Sequence, residues 1–178
     1  MTWSTPRVLR VVIFALLLAA LAVPAQAEVS SEAEIKAAYL YNFTRFVEWE
    51  ELPETSELSL CVLDDREFWD ALQPISGRSA QGRTISLSLI EQFDRPESCQ
   101  VLFVRSAAGR ELSRIIEQAT DAGIMTVSDI AGFVDNGGVI GYVKQGNVIR
   151  FEINLRAARA SGLMVNSRLL ELAVRVLR

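Results

Sequence analysis

The sequence predicts a single three-layer α/β domain: a largely parallel sheet with an antiparallel C-terminal hairpin and helices on both faces. Three observations point there. Apolar runs at 58–63, 100–104 and 124–127 read as strands buried on both faces. Amphipathic segments at 66–72 and 110–119 alternate with those runs, and such alternation builds parallel crossovers covered by helices. At 139–143 and 148–153 the period shortens around the Gly-containing turn 144–147, the signature of a hairpin.

Taken in order, the chain opens with Arg7 and Arg10, an apolar run from 11 to 23, and the small-x-small triplet Ala25, Gln26, Ala27. This pattern predicts a cleavable secretory signal over 1–27, leaving 28–178 as one exported domain. The run has 13 residues where a membrane span needs about 20, and no cysteine follows the cut to accept a lipid. Export into a periplasm is the expectation.

Ser31 and Glu34 have capping-box spacing, so a helix should start there. Ile35, Ala38, Tyr39, Asn42, Phe43, Phe46 and Val47 step along one face, ending near Trp49 before Pro53. After the first strand comes the helix 66–72, closed by Pro74. A turn at 77–82 leads to an alternating strand at 84–90, and Gly123 ends the helix 110–119. Beyond the hairpin, a short helix near 154–160 and a strongly amphipathic one over 167–177 are expected. Leu169, Leu170, Leu172, Ala173, Val176 and Leu177 form the inward face of the last. Gly137, Gly138 and Gly141 read as hairpin and bulge glycines, too few for a phosphate-cradling loop.

Composition excludes several functions. Removing the two signal arginines leaves 16 basic residues against 22 acidic, a charge of −6 that repels phosphate backbones, so no nucleic-acid partner is expected. The chain has no histidine, which removes Ser-His-Asp and Cys-His machinery and His-ligated metals. Cys61 and Cys99 are the two cysteines and lack C-x-x-C spacing; in an oxidising compartment they are expected to join as a structural disulfide. They sit at or near the starts of two buried strands that should be neighbours.

Ligands of open α/β sheets bind beyond the carboxyl ends of strands. Those ends carry Asp64, Asp65, Arg105, Ser106, Ser128, Asp129 and Lys144. Asp64, Asp65, Ser128 and Asp129 form a candidate strand-end pocket that echoes a phospho-receiver. The strand that should end in an acceptor aspartate ends instead in Val104 and Arg105. A divalent-cation site from Asp64, Asp65 and Asp129 is the alternative, and turn capping the simplest reading. No cofactor or metal is otherwise indicated.

Several blocks together resemble the YfiR family: AAYLYNFTRFVEW at 37–49, Cys61 followed by Val-Leu, and Cys99 ahead of Val101, Leu102 and Phe103. TVSD at 126–129, Gly137 with Gly138, FEIN at 151–154 and SRLLELA at 167–173 complete the set. Glu50 stands where a proline is expected, and a second cysteine pair found in some members is missing. The resemblance implies a non-enzymatic periplasmic repressor. Its partner would be the periplasmic sensor region of an inner-membrane diguanylate cyclase, and an outer-membrane lipoprotein would sequester it, setting cyclic-di-GMP and biofilm output. A periplasmic small-ligand or metal-binding protein is the competing class.

Apolar content near the C-terminus exceeds what one helix face needs. Leu163, Met164, Val165 and Val174, with Tyr41 on the first helix, are the candidate partner interface, and a homodimer sharing that surface is expected.

Overall fold

Residues 31–50, 52, 57–94, 98–105 and 110–178 are described by the structure, a computed structural model. The expected signal segment, Pro53 and Ser106 lie outside them. Ser31 caps the first helix, α1 (Glu32–Phe46), in the anticipated box: its side chain accepts from the Glu34 amide and Glu34 reaches back to its N–H. The helix stops at Phe46, because Val47 turns extended and begins the short strand β1 (Val47–Trp49).

The elements β2 (Glu57–Leu63), α2 (Arg66–Leu72), β3 (Ser79–Ala80), β4 (Arg83–Ile90), β5 (Val101–Val104), α3 (Arg110–Asp121) and β6 (Met125–Ser128) follow. Then come β7 (Ile140–Gln145), β8 (Val148–Asn154), α4 (Leu155–Ala160), β9 (Leu163–Val165), α5 (Ser167–Leu172) and β10 (Arg175–Leu177). Eight strands form one sheet in the order β10-β8-β7-β6-β5-β2-β4-β3. Within this sheet, among the described residues, only β7 with β8 and β3 with β4 are antiparallel, so the predicted fold class holds, hairpin included.

Strand alternation splits the core into two layers. Leu60, Val62, Val101 and Phe103 face Leu40, Phe43, Phe68 and Leu72 of α1 and α2. Cys61, Leu63, Leu102 and Val104 face the opposite way, onto Leu112, Ile115, Ile116 and Ala119 of α3. β5 and β6 are buried at every position, which is why they read as unbroken apolar runs. Cys61 and Cys99 are joined, with Cα atoms 5.8 Å apart, tying the start of β5 to its parallel neighbour β2.

Four expectations need correction. α1 is rotated from its predicted facing: Lys36, Ala37, Leu40, Phe43 and Thr44 are buried, whereas Ala38 is exposed and Asn42 half-buried. Phe43 is buried while Tyr39 and Phe46 pack half-buried against the same core layer, so the inward direction lies to one side of the aromatic stripe. The C-terminal helix covers only Ser167–Leu172. Val174 donates its N–H to Phe151 O, and Arg175–Leu177 joins the sheet parallel to β8, an edge that periodicity alone does not reveal. Residues 163–165 form a strand, antiparallel to β1 with Val165 opposite Val47. Gly137 and Gly138 are not hairpin glycines; they close the turn ahead of β7, where a Cβ on Gly138 would collide with the Phe133 ring. The hairpin turn holds Gly146, at φ +60°.

Candidate functional site

The carboxyl ends of β2, β5 and β6 meet the start of α1 at a cavity of about 210 Å3, lined by Glu32, Lys36, Asp65, Glu67, Phe68, Phe103, Arg105 and Asp129 among others. Lys36 is its centre. Its ammonium lies 2.7 Å from Glu32 and 2.7 Å from Asp129, while Lys144 reaches Glu32 at 2.8 Å. Arg105 spans the far side, 3.2 Å from Asp65, 3.1 Å from Glu67 and 4.0 Å from Asp129.

Protonation follows these contacts. Burial works hardest against charge on Lys36, yet its bonds to Asp129 and Glu32 outweigh that and hold its pKa above the usual lysine value. The Glu32 carboxyl is pulled down to about 2, first by Lys144 and then by Lys36. Burial pushes the Tyr142 hydroxyl well upward, and it donates to Lys36 O at 2.7 Å, so it acts as a fixed donor.

The four predicted pocket residues separate. Asp65 and Asp129 share this cavity. Asp65 also caps α2, accepting from the Phe68 amide, which makes the turn reading correct for it. Ser128 is fully buried, donates to Val104 O and accepts from the Ile130 amide, so its hydroxyl is consumed in holding β5 to β6. Asp64 sits at φ +47° and points into another cleft with Glu91, Asp94, Glu111 and Arg114. The cation triad of Asp64, Asp65 and Asp129 therefore does not converge. Among the described residues no cluster of three carboxylate or thiol groups is arranged to hold a metal. The cavity carboxylates are neutralised by Lys36, Lys144 and Arg105, so the arrangement is an ion-pair lattice locking α1 to the sheet. Sequence reasoning missed Lys36, because a lysine inside an apolar helix stripe looks like solvated surface.

The candidate interface also divides. Leu163 is 2% exposed and belongs to the core, which removes it from any contact surface. Val165 is half-buried against β1. Met164 and Val174 are exposed, at 49% and 41%, and Leu172, expected inward, is 65% exposed. Tyr41 is half-buried; its hydroxyl donates to Ser79 O at 3.0 Å and its ring lies beneath the guanidinium of Arg78 at 4.6 Å. Among the described residues no helix is long and apolar enough to cross a membrane.

Comparison with known proteins places this fold. A solved conserved domain protein from Vibrio cholerae O1 biovar El Tor strain N16961 is similar, with TM-score 0.57 and 12% identity over 82% of this chain. This chain spans 60% of the length of that structure, and the likeness at such identity is one of fold. An ABC domain in complex with L-Trp from Streptococcus pneumonia aligns at TM-score 0.44 and 11% identity, over 67% of this chain and 55% of that one, too distant to inform the site. No curated protein matches. The family profile described as YfiR/HmsC-like matches residues 33–174, nearly all of the described domain. The chain belongs to the YfiR/HmsC-like family, whose members are periplasmic regulators and not catalysts.

Proposed function

We propose that this protein is an exported repressor that binds the periplasmic sensor region of an inner-membrane diguanylate cyclase and so lowers cyclic-di-GMP and biofilm formation. The observation that carries the reading is the family match across 33–174. Two features support it. The polar groups of the strand-end cavity are engaged with one another, leaving a lattice suited to holding shape. Three of the four exposed large apolar side chains among the described residues, Met164, Leu172 and Val174, lie in the C-terminal segment, where a partner would bury them; the fourth, Val148, is on the hairpin. An outer-membrane lipoprotein that competes for the repressor would relieve the inhibition.

The test has two arms. Deleting the gene should raise cellular cyclic-di-GMP several-fold, and complementation should return it. Affinity capture from solubilised membranes should recover a diguanylate cyclase, and Met164→Asp with Val174→Asp should abolish recovery with the melting temperature unchanged. Unaltered cyclic-di-GMP after deletion overturns the reading.

A further inference from the structure

Two side-chain polar atoms among the described residues are buried without a hydrogen-bond partner, Trp49 Nε1 and Ser161 Oγ. Both residues line one cleft of about 290 Å3. Trp49 ends β1, the next residue, Glu50, donates its N–H to Gly162 O at 2.9 Å, and a Cβ on Gly123 would stand 3.5 Å from Ser161 O. The turns that follow α3 and α4 thus form the walls. Asp121 closes α3 and the chain enters β6 at Met125, so the cleft lies toward the amino end of β6, whereas Lys36 meets Asp129 beyond its carboxyl end.

Buried polar groups are nearly always paired, because an unpaired one costs stability and returns nothing. Ser161 is 3% exposed, and its backbone N–H is already held by the carbonyls of Ala157 and Ala158. Its hydroxyl has no such engagement. An indole N–H can only donate and a hydroxyl can donate as well, so what satisfies both atoms is an oxygen acceptor. The charge of the cleft selects further. Glu50 and Asp121 line it, both exposed, and no lysine or arginine does so among the described residues. The last turn of α3 also lacks a basic side chain to answer the negative end of its dipole. A cation is favoured there and a carboxylate repelled.

We propose that this cleft binds a small hydroxylated amine, whose ammonium pairs with Asp121 and Glu50 and whose hydroxyl oxygen accepts from Trp49 Nε1 and Ser161 Oγ. Rotation about the Ser161 Cα–Cβ bond brings its hydroxyl to the ligand. The volume suits a molecule at the small end of the range for ligand pockets. Free amino acids are excluded, since their carboxylate would face Glu50 and Asp121 with no basic group to receive it. The cleft is separate from the strand-end cavity, whose carboxylates are already neutralised by Lys36, Lys144 and Arg105. The inference does not depend on the cyclase reading, since the purified protein alone tests it.

Residues 28–178 contain two tryptophans, Trp49 and Trp69, so nitrogen–proton correlation spectra give two indole N–H signals, one at the cleft and one serving as internal control. Titration with serinol should move the Trp49 signal to saturation and leave that of Trp69 in place. Glycerol keeps the hydroxyls and lacks the charge, isopropylamine keeps the charge and lacks the hydroxyls, and serine adds a carboxylate; each should bind at least tenfold more weakly. Asp121→Asn should weaken serinol binding at least tenfold with unchanged melting temperature. Ser161→Ala should weaken it at least fivefold without lowering the melting temperature of the ligand-free protein, because the hydroxyl it removes makes no bond there. A Trp49 signal indifferent to serinol overturns the proposal. So does equal affinity for serinol and glycerol, or an Asp121→Asn protein that binds like wild type.

Discussion

Replacing both cysteines with alanine isolates the contribution of the cross-link. The bond closes a loop with a sequence separation of 38, for which the chain-entropy relation gives about 4 kcal/mol of stabilisation at 25 °C. Both residues are buried in the layer beneath α3, so alanine is a better probe than serine, whose hydroxyl would enter an apolar cluster unpartnered. For a domain of this size, a loss of that order lowers the melting temperature by about 10 °C. Thermal denaturation followed by circular dichroism measures it, with wild type also run in a phosphine reductant. The cross-link acts on the unfolded chain, so reduced wild type and the double variant should melt together, both well below the oxidised protein. A double variant within about 1 kcal/mol of oxidised wild type would refute the reasoning, and so would a reductant that leaves wild type unmoved.

Three further outcomes follow from the lattice and the turn. Glu32 has a depressed pKa of about 2 against an unfolded value of 4.5, so its contribution is present above 4.5 and lost as pH falls from there toward 2. Glu32→Gln should therefore flatten the acid limb of a stability-versus-pH curve, and identical limbs in variant and wild type would sink the assignment. Asp129→Asn strips the buried Lys36 ammonium of one partner and should cost about 2 kcal/mol in urea denaturation. Lys36→Met should cost less, because Asp129 keeps Arg105 and some solvent contact; the reverse order would place the strain elsewhere. Gly138→Ala drives a methyl into the buried Phe133 ring and should cost about 2–3 kcal/mol. Gly146→Ala meets no neighbour within 4 Å and should cost only the φ strain, about 1 kcal/mol, so equal penalties would contradict the packing argument.

The α/β architecture was legible in the local pattern of the chain, because local signals there are also the global ones. An apolar run such as Val101–Val104 is buried on both faces wherever it sits, and Ser31 with Glu34 caps a helix without help from the rest of the chain. The cysteine pairing was equally legible, since two cysteines on adjacent strands leave one bridge. Tertiary structure decided what depends on neighbours distant in the chain. Residues 173–177 carry a helical pattern but end as a strand, because β8 offers an open edge and Asp135 with Glu152 grips Arg175. Leu163 looked available for contact until β1 arrived to pair with it. Asp64 and Asp65, adjacent in sequence, part into different clefts because one turns left-handed and the other caps a helix. Lys36 finds Asp129 across 93 positions of chain, a partnership no local pattern can announce.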